Sequence, residues 1–321
     1  MGAAVTVDVA GGPMGGAARF RLELYKYLKG TGRKDVGIIG ANRRLDPAWL
    51  MRREMVGPSR ARRIALNNVG FVAPGGERWT LLGNALHFLT GQEISALDPS
   101  LWPVATRQAA VVRLAARRSD VLIAPCSAMA ERVAHVMPAV SKRLVVRMHP
   151  VSCRARNRIA SSQTILCPII FEPYKHMPTR LTEWLSATEG HIDPSIMMLV
   201  TARPSDVPAS LAGNPRVKLV GRVDLASLQQ LWESSRAIYF PPDLESFGFP
   251  LAEARAYGLP VIAQDTSQNR EIAGNSLCGF SVSDPDSLLY ATENALRRDV
   301  MPDPSPFNPT AYFEWMLGLQ S

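Results

Sequence analysis

The sequence has few cysteines and no long apolar run. The first feature argues against a disulfide-rich protein, and the second against a membrane-spanning one. The 321 residues include only four cysteines, and no two of them form a CxxC pair. A disulfide framework and a paired-cysteine zinc site are therefore not indicated. No apolar run approaches the roughly 18 residues that a membrane-spanning helix needs, so the sequence predicts no such helix. The cysteines are Cys126, Cys153, Cys167 and Cys278.

A basic leader is missing as well. The first strand-like stretch, AAVTVDVA, contains Asp8, and no basic residue precedes it. Secretion is therefore not indicated, and we expect a cytoplasmic protein. The sequence is 46% hydrophobic and 20% charged, a composition that excludes a disordered chain. The length suggests two domains, at roughly 100–200 residues for each.

Acidic residues are scarce in the first half of the chain. Residues 1–160 contain 25 Lys and Arg against 10 Asp and Glu, whereas residues 161–321 contain 11 against 18. The net charge of +8 therefore combines +15 with −7. Such a basic half indicates an anionic partner, and a solvated, arginine-rich surface is the alternative. The arginines concentrate in two runs, Arg43, Arg44, Arg52, Arg53, Arg60, Arg62 and Arg63, and then Arg147, Arg154, Arg156 and Arg158.

Short apolar strand patterns alternate with helical patterns, one of them over 105–118. This alternation predicts right-handed crossovers and parallel sheets covered by helices on both faces. The polar stretch 151–163 has no periodicity and is interpreted as an interdomain connection. The predicted fold is α/β, with two Rossmann-like, doubly wound domains, 1–155 and 156–305, that face a cleft. The clearest strand patterns are 5–10, 36–40, 121–125, 144–150, 164–170, 196–201, 217–221, 237–242 and 259–265.

A glycine-rich loop follows the first predicted strand. The sequence GGPMGG occupies 11–16, and a helical pattern covers 17–29. Glycines at a helix N-terminus let the backbone approach an anion, which the unpaired N–H groups attract. Gly15 and Gly16 are therefore candidate phosphate-binding residues. Because the motif is not GxGxxG, a plain turn is the alternative.

The segment 243–258, DLESFGFPLAEARAYG, carries the most information. Pro250 fits the first turn of a helix, and Gly258 fits the position just past its end. Glu253 then falls in the first turn, and Glu245 lies in the loop before the helix. Ordinary capping is one interpretation. The other is a site in which loop amides hold an anion while the two carboxylates accept hydrogen bonds from hydroxyl groups.

In its context, this segment resembles a known signature. The pattern consists of Glu245, seven further residues and Glu253, within ESFGFPLAEARAYGLPVIA. It resembles the donor-binding motif of retaining glycosyltransferases with the GT-B fold, of the family 4 type (glycosyl transferases group 1). The resemblance extends over about 215–296. It implies transfer of a hexosyl group from a UDP-, GDP- or dTDP-linked sugar to an acceptor hydroxyl with retention. It also implies that no cofactor other than this co-substrate, and no metal ion, takes part.

The resemblance assigns roles to the motif's residues. Glu253 would bind the ribose hydroxyls of the sugar nucleotide. Glu245 would hold the donor sugar as a catalytic residue, together with three backbone amides. Those amides belong to Phe247, Gly248 and Phe249.

The diphosphate would be bound by a helix N-terminus and a lysine. The helix that opens at Pro250 would face the phosphates, and Lys175, in FEPYKHM, matches the family's phosphate-binding lysine. The family places an arginine five residues before this lysine, where this chain has Ile170. Arg203, after the next strand, is the candidate for the missing positive charge.

A second departure lies in the first domain. The family often has a His-Asp pair after a central strand, whereas LLGNALHFLTGQE offers Asn84 and His87. His87 is the candidate for the catalytic contact to the donor sugar, and a core or surface histidine is the alternative. His149, Glu93 and Asp98 are further candidates on spacing alone.

No metal site is predicted. The one literal DxD, at 284–286, precedes a helical stretch and is interpreted as a capping turn. The sequence also contains no Walker A loop, GxSxG or HExxH motif.

The basic first domain is expected to hold the acceptor. The stretch 46–55, DPAWLMRREM, would lie on an anionic headgroup surface with Trp49, Leu50 and Met51 inserted. This predicts a lipid-linked acceptor and peripheral contact with the inner membrane face. Nucleic acid fits the same charges but is less favoured, and a soluble acceptor is a further alternative.

Two further expectations concern the whole chain. Because Ile170 replaces an arginine and the His-Asp pair is missing, a non-catalytic GT-B binding module is the alternative to an enzyme. The C-terminal stretch 306–321 is predicted to form a helix that crosses back to the N-terminal domain.

Overall fold

The chain folds into two compact units. The first is formed by Met1–Ser152 with Phe307–Ser321, and the second by Cys153–Pro306. The computed structural model describes residues 4–12, 15–56, 62–152, 162–168 and 170–318. The predicted domain boundary at 155/156 and the cysteine at 153 lie outside these residues. Within them, Cys126, Cys167 and Cys278 are buried free thiols.

The described residues contain twelve strands and twelve α-helices. The strands are β1 Val5–Asp8, β2 Val36–Ile39, β3 Arg62–Ala65, β4 Arg78–Leu81, β5 Val121–Ala124, β6 Leu144–Val146, β7 Thr164–Cys167, β8 Met197–Val200, β9 Val217–Leu219, β10 Ala237–Tyr239, β11 Val261–Gln264 and β12 Leu277–Phe280. The helices are α1 Gly15–Thr31, α2 Pro47–Arg53, α3 Gly91–Ser95, α4 Ala109–Ala116, α5 Ser127–Val136, α6 Met177–Thr188, α7 Ala209–Ala212, α8 Leu225–Ser234, α9 Phe249–Tyr257, α10 Ser267–Ala273, α11 Pro285–Arg297 and α12 Pro309–Leu317. In the described part of the chain, no helix has the length and apolarity to cross a bilayer.

The first unit is built on a parallel sheet with the order β2-β1-β3-β4-β5-β6. Val5 of β1 pairs with Val36 on one side and with Arg62 on the other. All four residues of β1 are buried, as expected for an inner strand of a sheet that helices cover on both faces. The parallel α/β arrangement predicted from the sequence is confirmed.

The last helix, α12, belongs to this first unit and packs on α1. The ring of Phe313 lies 5.7 Å from that of Phe20 and 5.3 Å from that of Tyr27, centroid to centroid. The Arg62 guanidinium donates a hydrogen bond to the carbonyl oxygen of Met316 at 3.0 Å. The final segment of the chain thereby completes the core of the first unit.

The prediction that Trp49 inserts into a membrane is wrong. Trp49 lies on α2 with only 9% of its surface exposed, and its Nε1 donates to Oδ1 of Asp8 at 3.2 Å. Arg53, from the same helix, donates to Oδ2 of Asp8 at 2.6 Å, and both side chains are fully buried. α2 therefore turns its tryptophan and one arginine into the core because a buried carboxylate on β1 accepts hydrogen bonds from both.

The second unit is built on another parallel sheet, with the order β12-β11-β10-β7-β8-β9. Its first strand, β7, lies in the middle, and the chain adds strands first on one side and then on the other. The order therefore reverses between β7 and β10, which are paired through Ala237 and Ile165. In open α/β sheets, ligands bind beyond the carboxyl ends of the strands at such a switch point.

Candidate functional site

Two loops meet at the switch point of the second sheet. The loop after β7 leads through a short 3₁₀ turn, Pro173–Lys175, into α6, and the loop after β10 leads into α9. Lys175 lies on the first loop and Glu245 on the second. The carboxyl edge at β7 and β10 is therefore the place where these predicted site residues come together.

Lys175 and Glu245 form an ion pair. Nζ of Lys175 lies 3.0 Å from Oε2 of Glu245, and the two side chains are only 12% and 22% exposed. Burial alone lowers the pKa of Lys175, but the charges of Glu245 and the neighbouring Tyr174 outweigh it and raise that pKa above its ordinary value. A charged amine and a carboxylate thus face each other at a sheltered edge of the sheet.

The loop between β10 and α9 is shaped by Gly248. This residue has φ +82° and caps the N-terminus of α9, and Pro250 is the second residue of the helix. Phe247 and Phe249 on either side are buried, with their rings edge to face at 5.3 Å. The aromatic rings anchor the loop in the core, so its backbone is held at the helix N-terminus.

Glu253 lies in the second turn of α9 and not in the first, where the sequence analysis placed it. The helix begins at Phe249, one residue before the predicted proline, because Gly248 adopts the left-handed conformation and serves as the cap. The Glu253 side chain is 8% exposed. Its position on the buried side of α9 is unusual for a carboxylate and marks it as a candidate binding group.

Replacing Gly248 with alanine is expected to destabilise the second unit by about 1–3 kcal/mol. An alanine at this φ is strained by roughly 1–2 kcal/mol, and its Cβ would lie 3.0 Å from side-chain atoms of both Leu251 and Phe240. Gly221→Ala is the matched control, because Gly221 also has a left-handed φ of +73° but open space around its Cβ. Urea unfolding should show a larger loss for Gly248→Ala, and equal losses would contradict the role of the close contacts.

The sequence analysis missed Asp243, which joins the two loops. Its carboxylate accepts from His176 Nδ1 at 2.6 Å, from Arg180 Nη2 at 2.6 Å and from Gln264 Nε2 at 2.6 Å. Burial raises the pKa of Asp243, but the three donors outweigh it, and the pKa is lowered. His176, next to Lys175, holds a left-handed φ of +48° in this arrangement. Asp243 therefore ties the loop of the lysine to the loop of Glu245.

Arg203 is engaged within its own turn. Its side chain makes two hydrogen bonds to Asp206, of which Nη2 to Oδ1 is 2.9 Å, and it is 53% exposed. The Arg203 hydrogen bonds are the main cause that lowers the pKa of Asp206 to about 2. Ile170, at the family's arginine position, is 37% exposed. The structure thus pairs Arg203 with a carboxylate, and Lys175 is the cation beside Glu245.

The predicted site residues of the first unit lie in two different places, with the glycines at the start of α1 and His87 in the interior. Gly15 and Gly16 are exposed and form the first turn of α1, so the helix begins two residues earlier than its sequence pattern suggested. Arg21 of the same helix donates to the carbonyl oxygens of Val9 and Gly12 and so supports the glycine loop. No sequence pattern marked this arginine.

His87 lies in the interior of the first unit. It is 5% exposed, and burial is the main cause that lowers its pKa to about 4. His149 is also buried, with its ring 5.1 Å from that of Phe20, and burial lowers its pKa to about 3. Both therefore pack as neutral histidines in the interior of the first unit.

The carboxylates proposed on spacing alone have structural partners. Glu93 forms a capping box with Thr90 and pairs with Arg132 at 2.7 Å, and Asp98 caps the turn at 99–101. Asp284 caps α11, which confirms the interpretation of the DxD as a capping turn. Among the described residues there is no group of three or more His, Cys, Asp or Glu that could hold a metal ion.

A comparison with protein families identifies the second unit. Residues 163–298 match the family model described as glycosyl transferases group 1, a segment that runs from β7 to the end of α11. The resemblance to glycosyl transferases group 1 that the sequence indicated is therefore confirmed over this segment. None of the curated protein sequences matches the chain.

Solved structures with the same fold cover nearly the whole chain. Sucrose-phosphate synthase from Thermosynechococcus elongatus has a TM-score of 0.64 at 15% identity, over 95% of this chain and 91% of that one. WaaG, a glycosyltransferase involved in lipopolysaccharide biosynthesis, has 0.65 at 12%, over 99% and 96%. An α,α-trehalose-phosphate synthase from Burkholderia xenovorans has 0.65 at 10%, over 98% and 99%. The fold of the chain is GT-B, the fold of these solved structures.

Proposed function

We propose that the chain is a retaining glycosyltransferase that moves a hexosyl group from a nucleotide sugar to an acceptor hydroxyl. The observation that carries the proposal is the partly buried ion pair of Lys175 and Glu245, beside the Gly248-capped helix at the switch point. This edge offers a cation and a helix N-terminus for a diphosphate, and carboxylates for hydroxyl groups.

The diphosphate is assigned to Lys175 and the N-terminus of α9. Lys175 leaves Glu245 for a phosphate oxygen when the donor binds, because its amine is already charged and sheltered at the edge of the sheet. The first N–H groups of α9 add partial positive charge. Since these groups can neutralise the leaving diphosphate, we propose that the reaction needs no metal ion. Arg203 would join them only after release from Asp206.

The two glutamates are assigned to hydroxyl groups of the donor. Glu253 accepts hydrogen bonds from the ribose, and Glu245, with the amides of residues 247–249, holds the sugar. In the reaction, the bond between the anomeric carbon and the diphosphate oxygen breaks, and a bond to the acceptor oxygen forms on the same face. The acceptor's proton passes to the leaving phosphate, so no protein base is required. The site acts by stabilising the departing charge.

The donor and acceptor are proposed by class. A trehalose-6-phosphate synthase from E. coli with the same fold was solved with UDP-2-fluoro glucose, which supports a UDP-linked sugar, with GDP and dTDP as further candidates. The net charge of +15 over residues 1–160 supports an anionic, lipid-linked acceptor. We therefore propose a cytoplasmic enzyme that meets the inner membrane face peripherally.

Nucleotide binding tests whether Lys175 holds the diphosphate of the donor. We expect one of UDP, GDP and dTDP to raise the melting temperature of the wild type. Lys175→Gln should weaken the binding of that nucleotide about tenfold or more, because a hydrogen bond to a charged group is worth about 1.5–3 kcal/mol. The matching nucleoside lacks phosphates, so Lys175→Gln should leave its weaker binding unchanged. Lys218, which is exposed on β9, supplies the control variant Lys218→Gln.

Turnover separates the enzyme from the non-catalytic module. Slow hydrolysis of the matching nucleotide sugar, lost in Glu245→Gln, would support a transferase. Binding without turnover of any donor would favour the module. If no nucleotide stabilises the wild type, the donor site itself is refuted.

A further inference from the structure

An exposed apolar face runs along residues 102–118 of the first unit. Trp102 and Val111 are each 47% exposed and Leu114 is 61% exposed. The segment includes a π-helical stretch, Val104–Gln108, that continues into α4. Its opposite side is buried in the core through Leu101, Ala105, Ala109, Val112, Ala115 and Ala116. The segment is thus amphipathic, but its outward side carries three large apolar groups.

Arginines flank these apolar groups. Arg107, Arg117 and Arg118 are all exposed. The sequence from 99 to 119 contains no Asp or Glu, and Asp120, just beyond it, is engaged by Arg78 at 3.1 Å. We call Trp102, Arg107, Val111, Leu114, Arg117 and Arg118 the 102–118 face. It combines exposed apolar surface with three arginines, and the segment 99–119 contains no acidic residue.

We infer that the 102–118 face docks the protein on an anionic lipid bilayer. Large apolar side chains on an exposed helix enter the boundary between headgroups and acyl chains, while arginines beside them reach the phosphates. A nucleic acid would use the arginines alone, since phosphate contacts give no role to Val111 and Leu114. The combination of the two kinds of residue therefore selects a membrane surface.

This face replaces the stretch that the sequence analysis assigned to the membrane. In that stretch, Trp49 and Arg53 are turned into the core, whereas Met51 is exposed. The inference rests on the proposed anionic, lipid-linked partner and gives it a surface. It does not depend on the donor chemistry, so the two can fail separately.

Sedimentation with vesicles tests the inference without any nucleotide. We expect the full-length protein to sediment with vesicles of equal parts phosphatidylglycerol and phosphatidylcholine, and not with pure phosphatidylcholine. Arg107→Glu with Arg118→Glu should lower the partition coefficient at least about tenfold, because each basic residue contributes strongly near an anionic surface. Val111→Ser with Leu114→Ser should lower it by a similar factor, because the inserted apolar area is lost.

Matched controls come from α11 of the second unit. Tyr290, which is 77% exposed, and Arg297, whose side chain is 77% exposed, give the variants Tyr290→Ser and Arg297→Glu. These should sediment as the wild type does, and all variants should keep its melting temperature. Vesicle binding that survives both pairs of changes would overturn the inference. So would a loss confined to the arginine variants together with salt-sensitive retardation of duplex DNA, which would indicate nucleic acid.

Discussion

Glu253→Ala is expected to abolish measurable nucleotide binding. In the proposed site, this carboxylate accepts two hydrogen bonds from the ribose. Hydrogen bonds to a charged group are worth about 1.5–3 kcal/mol each, so losing both weakens binding at least about a hundredfold. Glu253 is 8% exposed, so water cannot readily replace the carboxylate. Glu253→Gln keeps the size of the side chain and should retain part of the affinity.

Thermal shifts measured with a nucleotide and with its nucleoside distinguish the loss of ribose binding in Glu253→Ala from the loss of phosphate binding in Lys175→Gln. A ligand at 100 times its dissociation constant stabilises the protein by about 2.7 kcal/mol, which is easily measured. Glu253→Ala should lose the response to both ligands, because both contain ribose, whereas Lys175→Gln should reduce only the response to the nucleotide with its diphosphate. Glu293→Gln, on the partly exposed side of α11, controls for the loss of one negative charge. A normal nucleoside response in Glu253→Ala would exclude it from the ribose site.

Most strands of both sheets were predictable from short apolar patterns, whereas β3, β4 and β12 were not predicted. β3 begins with two arginines, so its sequence does not resemble a buried strand. The second of them, Arg63, is nevertheless buried, because it donates to the carbonyl oxygens of Ala73 and Gly75 and packs on the ring of Phe71. These partners come from a loop whose path no local pattern indicates. The arginine could therefore not be assigned to the core from sequence.

The site was predictable to the extent that it is encoded in one segment. Glu245, Gly248 and Glu253 lie within nine residues, and their spacing alone indicated a loop and a helix. Asp243 belongs to the same segment, but its donors lie at the residue before α6, on α6 and at the end of β11. Its role follows only from the pairing of strands that brings these elements together.

The assignment of Trp49 to a membrane surface was wrong for a related reason. An amphipathic helix with a tryptophan and two arginines is compatible with a headgroup surface, and also with a core that contains a carboxylate. No local pattern indicated that Asp8, forty-one residues before Trp49, would accept a hydrogen bond from the tryptophan. The exposed face along 102–118, by contrast, lies in a helix whose prediction from sequence was correct but whose outward residues were not assigned.

Arg53→Met is expected to destabilise the first unit by about 3–5 kcal/mol, the range for removing one partner of a buried ion pair. The change leaves the Asp8 carboxylate, which is fully buried, without its counter-charge. It also removes the donors to the carbonyl oxygens of Val69 and Gly70, each at 2.7 Å. Methionine fills much of the same volume, so the loss reflects charge and hydrogen bonding more than a cavity. For a unit of this size, the melting temperature should fall by roughly 2–4 °C per kcal/mol.

A double-mutant cycle with Asp8→Asn isolates the ion pair from the rest of the network. Asp8→Asn alone leaves a buried guanidinium without its counter-charge, and the double variant leaves no buried charge, so its loss should be smaller than the sum of the single losses. Hydrogen exchange of peptides from the first unit would assign the effect to that unit. Arg78→Met is the control, because the Arg78–Asp120 pair is partly exposed and should contribute at most about 1 kcal/mol. Additive losses would mean that Asp8 and Arg53 stabilise the fold independently, each through its contacts with Trp49, Asn67 and the backbone.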